Sequence, residues 1–166
     1  MLCDATNRIL GIARALPVAH LSMPMPIQPL EPTATFAQSW DFPLAQRKAV
    51  AAYACQFAKP FWGASFTFQG DTRSAKLPSF AGSVVITETL RTQTRTRNDY
   101  TMTGLANIDH YHGSFVLKAN GPNQVRLTWQ IELAFQNAEA LVIVAQLFAA
   151  VSSSMTDALQ KAFGLP

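Results

Sequence analysis

Charged side chains are scarce in this chain of 166 residues: Asp, Glu, Lys and Arg together make up 14% of it, against about 25% in an average soluble domain. Apolar residues make up 49%, so the scarcity does not signal disorder, which goes with low hydrophobicity and high charge. Thirteen basic residues against ten acidic ones leave a net charge of +3. No run of Lys and Arg lines up along one element, and a nucleic-acid partner is not expected. Cysteine is rarer still. Cys3 and Cys55 have no short-range partner, which excludes a disulfide framework and a zinc site of paired cysteines and points to free thiols in a reducing compartment. The phosphate-cradling glycine motifs are absent, so no nucleotide or other cofactor is expected. Ser152, Ser153 and Ser154 lack the Gly-x-Ser-x-Gly elbow of a hydrolase nucleophile. The longest apolar run, Ala140 to Val151, is broken by Gln146 and is too short for a transmembrane segment. Without a basic stretch leading into a long apolar one near Met1, the expected location is cytoplasmic.

What is abundant is organised in two parts. Five of the ten prolines lie between Pro17 and Pro32, where they remove backbone donors and hold the chain extended. Residues 1–32 therefore read as a proline-rich arm, either loosely attached or strapped onto the domain or a second copy of it. Residues 33–166 read as a single domain, long enough to bury roughly 70% of the surface its unfolded chain exposes. Its first segment, Thr33–Phe42, alternates and is rich in β-formers, so a strand is predicted up to Pro43. Leu44–Phe57 is alanine-rich with apolar residues at helical spacing, which predicts one helix or two short ones before Pro60. Ala64–Gln69 reads as a strand closed by Gly70-Asp71. Four more strands follow, near Val84–Arg91, Asp99–Asn107, His112–Ala119 and Val125–Phe135. The turns between them are too short for crossovers, so the strands form an antiparallel meander.

The last element is a helix. Asn137 can cap it, Glu139 suits its positive first turn, and Gly164 can stop it after Phe163. Leu141, Val144, Phe148, Val151, Met155 and Leu159 form one apolar stripe at three- and four-residue steps. Its length, about 26 residues, corresponds to roughly 39 Å. A helix this long against an antiparallel sheet makes an α+β arrangement.

Within that order, Thr87-Glu88-Thr89-Leu90 is similar to a strand ending in Glu-x-Leu, Tyr111-His112-Gly113 to a Tyr-x-Gly strand, and Val125 to Trp129 to a Val-x-x-x-Trp strand. Together, ahead of a terminal helix, they resemble the START-related helix-grip superfamily (SRPBCC), which includes polyketide cyclases and lipid-transfer domains. The resemblance covers about residues 33–164. It implies a curved antiparallel sheet of six or seven strands wrapped around the C-terminal helix, with short helices after the first strand. Two departures stand out: the family's second hairpin is shrunken here to Arg73–Gly82, and the proline-rich arm has no counterpart.

The residues support a hollow interior on their own account. Val125, Leu127, Trp129, Ile131, Leu133 and Phe135 share one face of the last strand, with polar residues on the other. The helix that must cover this face carries Ala145, Ala149, Ala150 and Ser152 to Ser154 in its middle, side chains too small to fill the space under a curved sheet. The alternative is that Trp40, Trp62, Trp129 and the eleven phenylalanines fill that space. For a cavity, the expected lining is Ile86, Glu88, Met102, Phe115, Trp129 and Ile131 from the sheet, with Phe148, Ser152 and Met155 from the helix. The expected occupant is a small hydrophobic or amphipathic ligand such as a lipid, polyketide or aromatic compound.

Chemistry, if present, has three candidate residues. Glu88 shares its face with Val84, Ile86 and Leu90, so its carboxylate would be desolvated and its pKa raised, or else it pairs with an arginine at the sheet rim. His110 and Tyr111 could move protons in a cyclase- or dehydratase-type reaction. On a strand His110 and His112 would point to one side, as metal-binding pairs do, but only His20 remains as a further histidine and no metal is expected. Arg91, Arg95 and Arg97 read as a solvated edge, and Tyr100 as a candidate hydroxyl donor or a buried phenol bonded to backbone. The third reading is an interaction module whose arm docks on a partner or makes a homodimer.

Overall fold

The computed structural model describes residues 32–62, 65–79 and 82–164. The proline-rich arm, and with it the expectations of a strap or a dimer, lies outside these residues. Seven strands form one antiparallel sheet: β1 (Thr33–Pro43), β2 (Phe66–Gln69), β3 (Thr72–Ser79), β4 (Gly82–Gln93), β5 (Arg97–Thr103), β6 (Ile108–Ala119) and β7 (Gln124–Phe135). Their order is β1-β7-β6-β5-β4-β3-β2, so every hairpin is sequential and the first strand returns to pair with the last. A single 3₁₀ turn, Leu44–Gln46, and the helix α1 (Arg47–Ala54) follow β1, and α2 (Ala138–Phe163) ends the chain. The architecture is the expected α+β helix grip, with seven strands.

Local chemistry accounts for the elements. On β7, Val125, Leu127, Trp129, Ile131 and Leu133 are buried while Arg126 and Glu132 are exposed, as alternation requires. Asn137 accepts a hydrogen bond from the Ala140 N–H at 2.9 Å, and Gly164 ends α2 in the left-handed conformation at φ 66°, which costs a glycine little. Along α2, Ala140, Val144, Ser152, Met155 and Leu159 are buried, whereas Val142 and Ile143 are exposed. By length and composition α2 is apolar enough to cross a membrane, which extends beyond the shorter run read from the sequence; here its buried stripe lies on the sheet.

Two boundaries differ from the sequence reading. Thr72–Ser79 is a full strand paired on both sides, with β2 and β4, not a shrunken hairpin. Its inward positions are Arg73, Ala75 and Leu77, and the inward arginine breaks the apolar alternation that would have marked a strand. The turn between β5 and β6 falls at Gly104–Asn107, with Gly104 at φ 106° and Asn107 at φ 60°. Position 104 also presses on β4: a Cβ there would stand 2.1 Å from the Val85 carbonyl oxygen.

Candidate functional site

Between the concave face of the sheet and the middle of α2 lies a cavity of about 40 Å³, enough for about three or four waters by the usual requirement of roughly 10–15 Å³ each. Its walls are apolar, and its polar groups are Glu88, Tyr100 and Tyr111. The aromatic residues therefore fill most, though not all, of the space under the sheet.

Glu88 reaches this place from β4, directly opposite Arg73 on β3. The Arg73 Nε donates to Glu88 Oε2 at 2.5 Å, and the two side chains are 3% and 4% exposed. Arg73 Nη1 donates to the Phe57 carbonyl at 2.5 Å. The Phe57 and Phe66 rings lie 4.2 and 4.6 Å from the guanidinium carbon, so the cation is held by its hydrogen bonds and by aromatic faces. Burial pushes the Glu88 carboxyl above its ordinary value, and the Arg73 charge pulls it back. Because an arginine keeps its proton, protonating Glu88 would leave a buried guanidinium without a counter-charge; the carboxylate is the form this geometry holds.

Tyr100 crosses the sheet by a different device. It stands opposite Gly113 of β6, and a Cβ at Gly113 would lie 2.2 Å from Tyr100 Cζ. The missing side chain lets the ring lie across β6 and reach β7, where Trp129 Nε1 donates to Tyr100 Oη at 3.0 Å. Trp129 is itself stacked between Phe148 of α2, at 4.5 Å, and Phe115, at 6.0 Å. Burial, then the nearby charge of Glu88, pushes the Tyr100 phenol well up; Tyr111 is raised by burial first, then by Tyr100 and Glu88. Both phenols stay protonated at neutral pH and act as hydrogen-bond donors.

Of the nine residues expected around a pocket, Ile86, Glu88, Met102, Trp129, Ile131, Phe148 and Met155 line the cavity. Phe115 lies behind Trp129, stacked on it. Ser152 is buried away from the cavity, its hydroxyl without a partner among the described residues. Tyr111 lines the cavity with Glu88, but His110 is exposed, next to a bulge in the β6–β7 pairing. His112 lies 3.6 Å from Asp99 and 4.0 Å from Glu132, on the side away from the cavity. Glu88 does pair with an arginine, in the interior and not at a rim. Arg73 is the residue that sequence reasoning missed; its signal is a charged side chain in step with Ala75 and Leu77.

No family model and no curated protein matches the chain. Solved structures do. The chain is similar to the protein XoxI from Bacillus cereus (18% identity, 78% of this chain and 95% of that one, TM-score 0.62). It is also similar to a START superfamily protein from Mycobacterium smegmatis (11% identity, 78% and 97%, TM-score 0.55). The chain has a START-type fold. The Zhui aromatase/cyclase from Streptomyces sp. R1128 has a similar structure too (12% identity, 78% and 96%, TM-score 0.52). Within this START-type fold the Tyr-x-Gly strand has a physical reason at its glycine, since Gly113 is where Tyr100 passes over β6.

Proposed function

We propose that the protein binds a small hydrophobic or amphipathic ligand in the cavity between the sheet and α2. The observation that carries this reading is a set of buried polar groups, Glu88, Tyr100 and Tyr111, facing a partly empty apolar space. Glu88 and Tyr100 are already bonded to Arg73 and Trp129, and a ligand's polar end would use the acceptor and donor capacity that these bonds leave over. The START-type fold is consistent with it, since an aromatase/cyclase shares that fold.

The cavity must widen for anything larger than a few waters, and α2 is the element able to yield. Hydrogen bonds from other elements reach it, among the described residues, only in its second half: Trp40 Nε1 to Thr156 Oγ1 at 2.9 Å and Gln46 Nε2 to the Phe163 carbonyl at 3.5 Å. The cavity-lining Val144, Leu147, Phe148, Val151 and Met155 occupy the middle of the helix, where no hydrogen bond from another element reaches it among the described residues. The start of α2 is tied to β7 through Gln136, whose N–H donates to the Asn107 carbonyl at 2.9 Å, so the cavity enlarges by a bowing of the helix middle and rotation of Phe148, where no hydrogen bond from another element would break. Native mass spectrometry of the purified protein tests the reading by showing a stoichiometric co-purified small molecule, which organic extraction then identifies. As a second test, Leu147→Trp should fill the cavity and abolish uptake of that molecule, while Val142→Trp on the exposed face leaves it intact. Equal uptake by both variants would argue against this pocket.

A cyclase- or dehydratase-type reaction is the second reading, favoured by one observation: Glu88 and Tyr111 face the same cavity. Glu88 would be its base and Tyr111 a proton donor to a developing oxyanion. Two features weigh toward binding. The phenols' raised pKa values make them poor proton shuttles near neutrality, and Glu88 is tied to Arg73.

A further inference from the structure

Resting on the reading that the cavity holds a ligand, we infer its chemical class: an uncharged apolar compound carrying a hydroxyl, a phenol or an alcohol, with carboxylates excluded. The argument is one of charge and hydrogen-bond capacity. Among the described residues no Lys, Arg or His lines the cavity. The adjacent cation, Arg73, has its charge balanced by Glu88, with Nε on that carboxylate, Nη1 on the Phe57 carbonyl, and aromatic rings against its faces. An anionic ligand would therefore set two carboxylates against a single guanidinium, a net negative charge in a site of low polarity.

A cationic ligand fares little better. Glu88 is already neutralised by Arg73, so an ammonium would be the surplus charge of a trio in place of a balanced pair. A hydroxyl suits the groups present. Glu88 accepts from Arg73 at Oε2 and, as a carboxylate with roughly four acceptor positions, can accept a further hydrogen bond. Tyr100 Oη already accepts from Trp129, which leaves its own O–H to donate. One acceptor and one donor at the same end of an apolar cavity match the two capacities of a hydroxyl group. A hydrocarbon would leave both unmet, and sites built to hydrogen-bond a hydroxyl discriminate strongly against analogues that lack it.

The test is a calorimetric titration of the full chain at pH 7.5 with four probes of one size: p-cresol, toluene, p-toluate and 4-methylbenzylamine. We expect p-cresol to bind at least tenfold more tightly than toluene, and both charged probes to bind more weakly than toluene. In the double variant Arg73→Met/Glu88→Leu, which replaces the pair with apolar side chains, toluene should still bind and the preference for p-cresol should be lost. Tighter binding of p-toluate or of the amine than of p-cresol, with toluene still bound, would overturn the inferred class and leave the ligand cavity standing. A double variant that keeps the preference would overturn the role given to Glu88. No binding by any of the four probes to the wild-type protein, toluene included, would overturn the cavity reading itself.

Discussion

Two arginine–carboxylate pairs bridge neighbouring strands at directly opposed positions, Arg73–Glu88 between β3 and β4 and Arg126–Asp41 between β7 and β1. By hydrogen-bond geometry the second is the more complete: Arg126 donates from Nε at 2.9 Å and Nη2 at 2.8 Å to the two oxygens of Asp41. By setting they are opposites. The Arg126 and Asp41 side chains are 48% and 38% exposed, whereas Arg73 and Glu88 are shut in the interior. One pair faces solvent and competes with water and salt for each partner. The other has given up its hydration and depends on its own partners and on the aromatic rings around it. The same two functional groups in the same register thus serve as a surface tie on one face and a structural commitment on the other, and strand parity decides which.

That contrast can be broken by mutation. Removing one buried partner should have the largest effect: Glu88→Ala or Arg73→Ala is expected to cost about 3–5 kcal/mol, a fall of roughly 6–20 °C in the thermal midpoint at some 2–4 °C per kcal/mol for a chain of this size. Scanning calorimetry measures it. Replacing both partners, in Arg73→Met/Glu88→Leu, should recover most of that loss, since apolar side chains of similar size need no counter-charge; failure to recover would show that the pair stabilises the fold beyond its own neutralisation. Next comes Gly113→Ala, which drives a methyl group into the Tyr100 ring and should cost about 1–3 kcal/mol as overpacking does, with a change in tryptophan fluorescence as Tyr100 shifts against Trp129. Tyr100→Phe leaves Trp129 Nε1 without its acceptor, a buried donor worth about 1–3 kcal/mol, seen in the urea midpoint. Smallest is Asp41→Ala at the surface pair, whose effect on the thermal midpoint at pH 7 and physiological salt should be too small to resolve. Arg126 first of all holds the Asp41 carboxyl below its ordinary value of 3.8, so any contribution it makes is present above that pH and fades as the pH falls through the lowered value.

The fold was legible where side chains obey their periodicity. The alternation along β7, the stripe and caps of α2, and the inward parity of Glu88 all follow from spacing in the chain. What stayed hidden lies where polar residues point inward. Arg73 made β3 read as part of a shrunken hairpin, because a strand is recognised by apolar residues at every second position and here one of those is a buried cation. The cavity's size was equally out of reach: small alanines in α2 suggest room, but how far Trp129, Phe148 and Phe115 stack into it depends on rotamers that no pattern of letters carries. Ser152 illustrates a further loss. Its place in the helical stripe is right for burial, yet at a helical rotation of 100° per residue the difference between facing the cavity and being buried beside it is a single position.

Gly113 carries a consequence for how this sequence can vary over time. Its tolerance is set from across the sheet, because what position 113 can accept depends on what occupies position 100. A small residue at 100 would open space for a side chain at 113, and a large one closes it. Among relatives of this chain the two positions should therefore change as a couple, bulk at one accompanied by glycine at the other. A lineage that passed through bulk at both would have to displace the ring that forms part of the cavity.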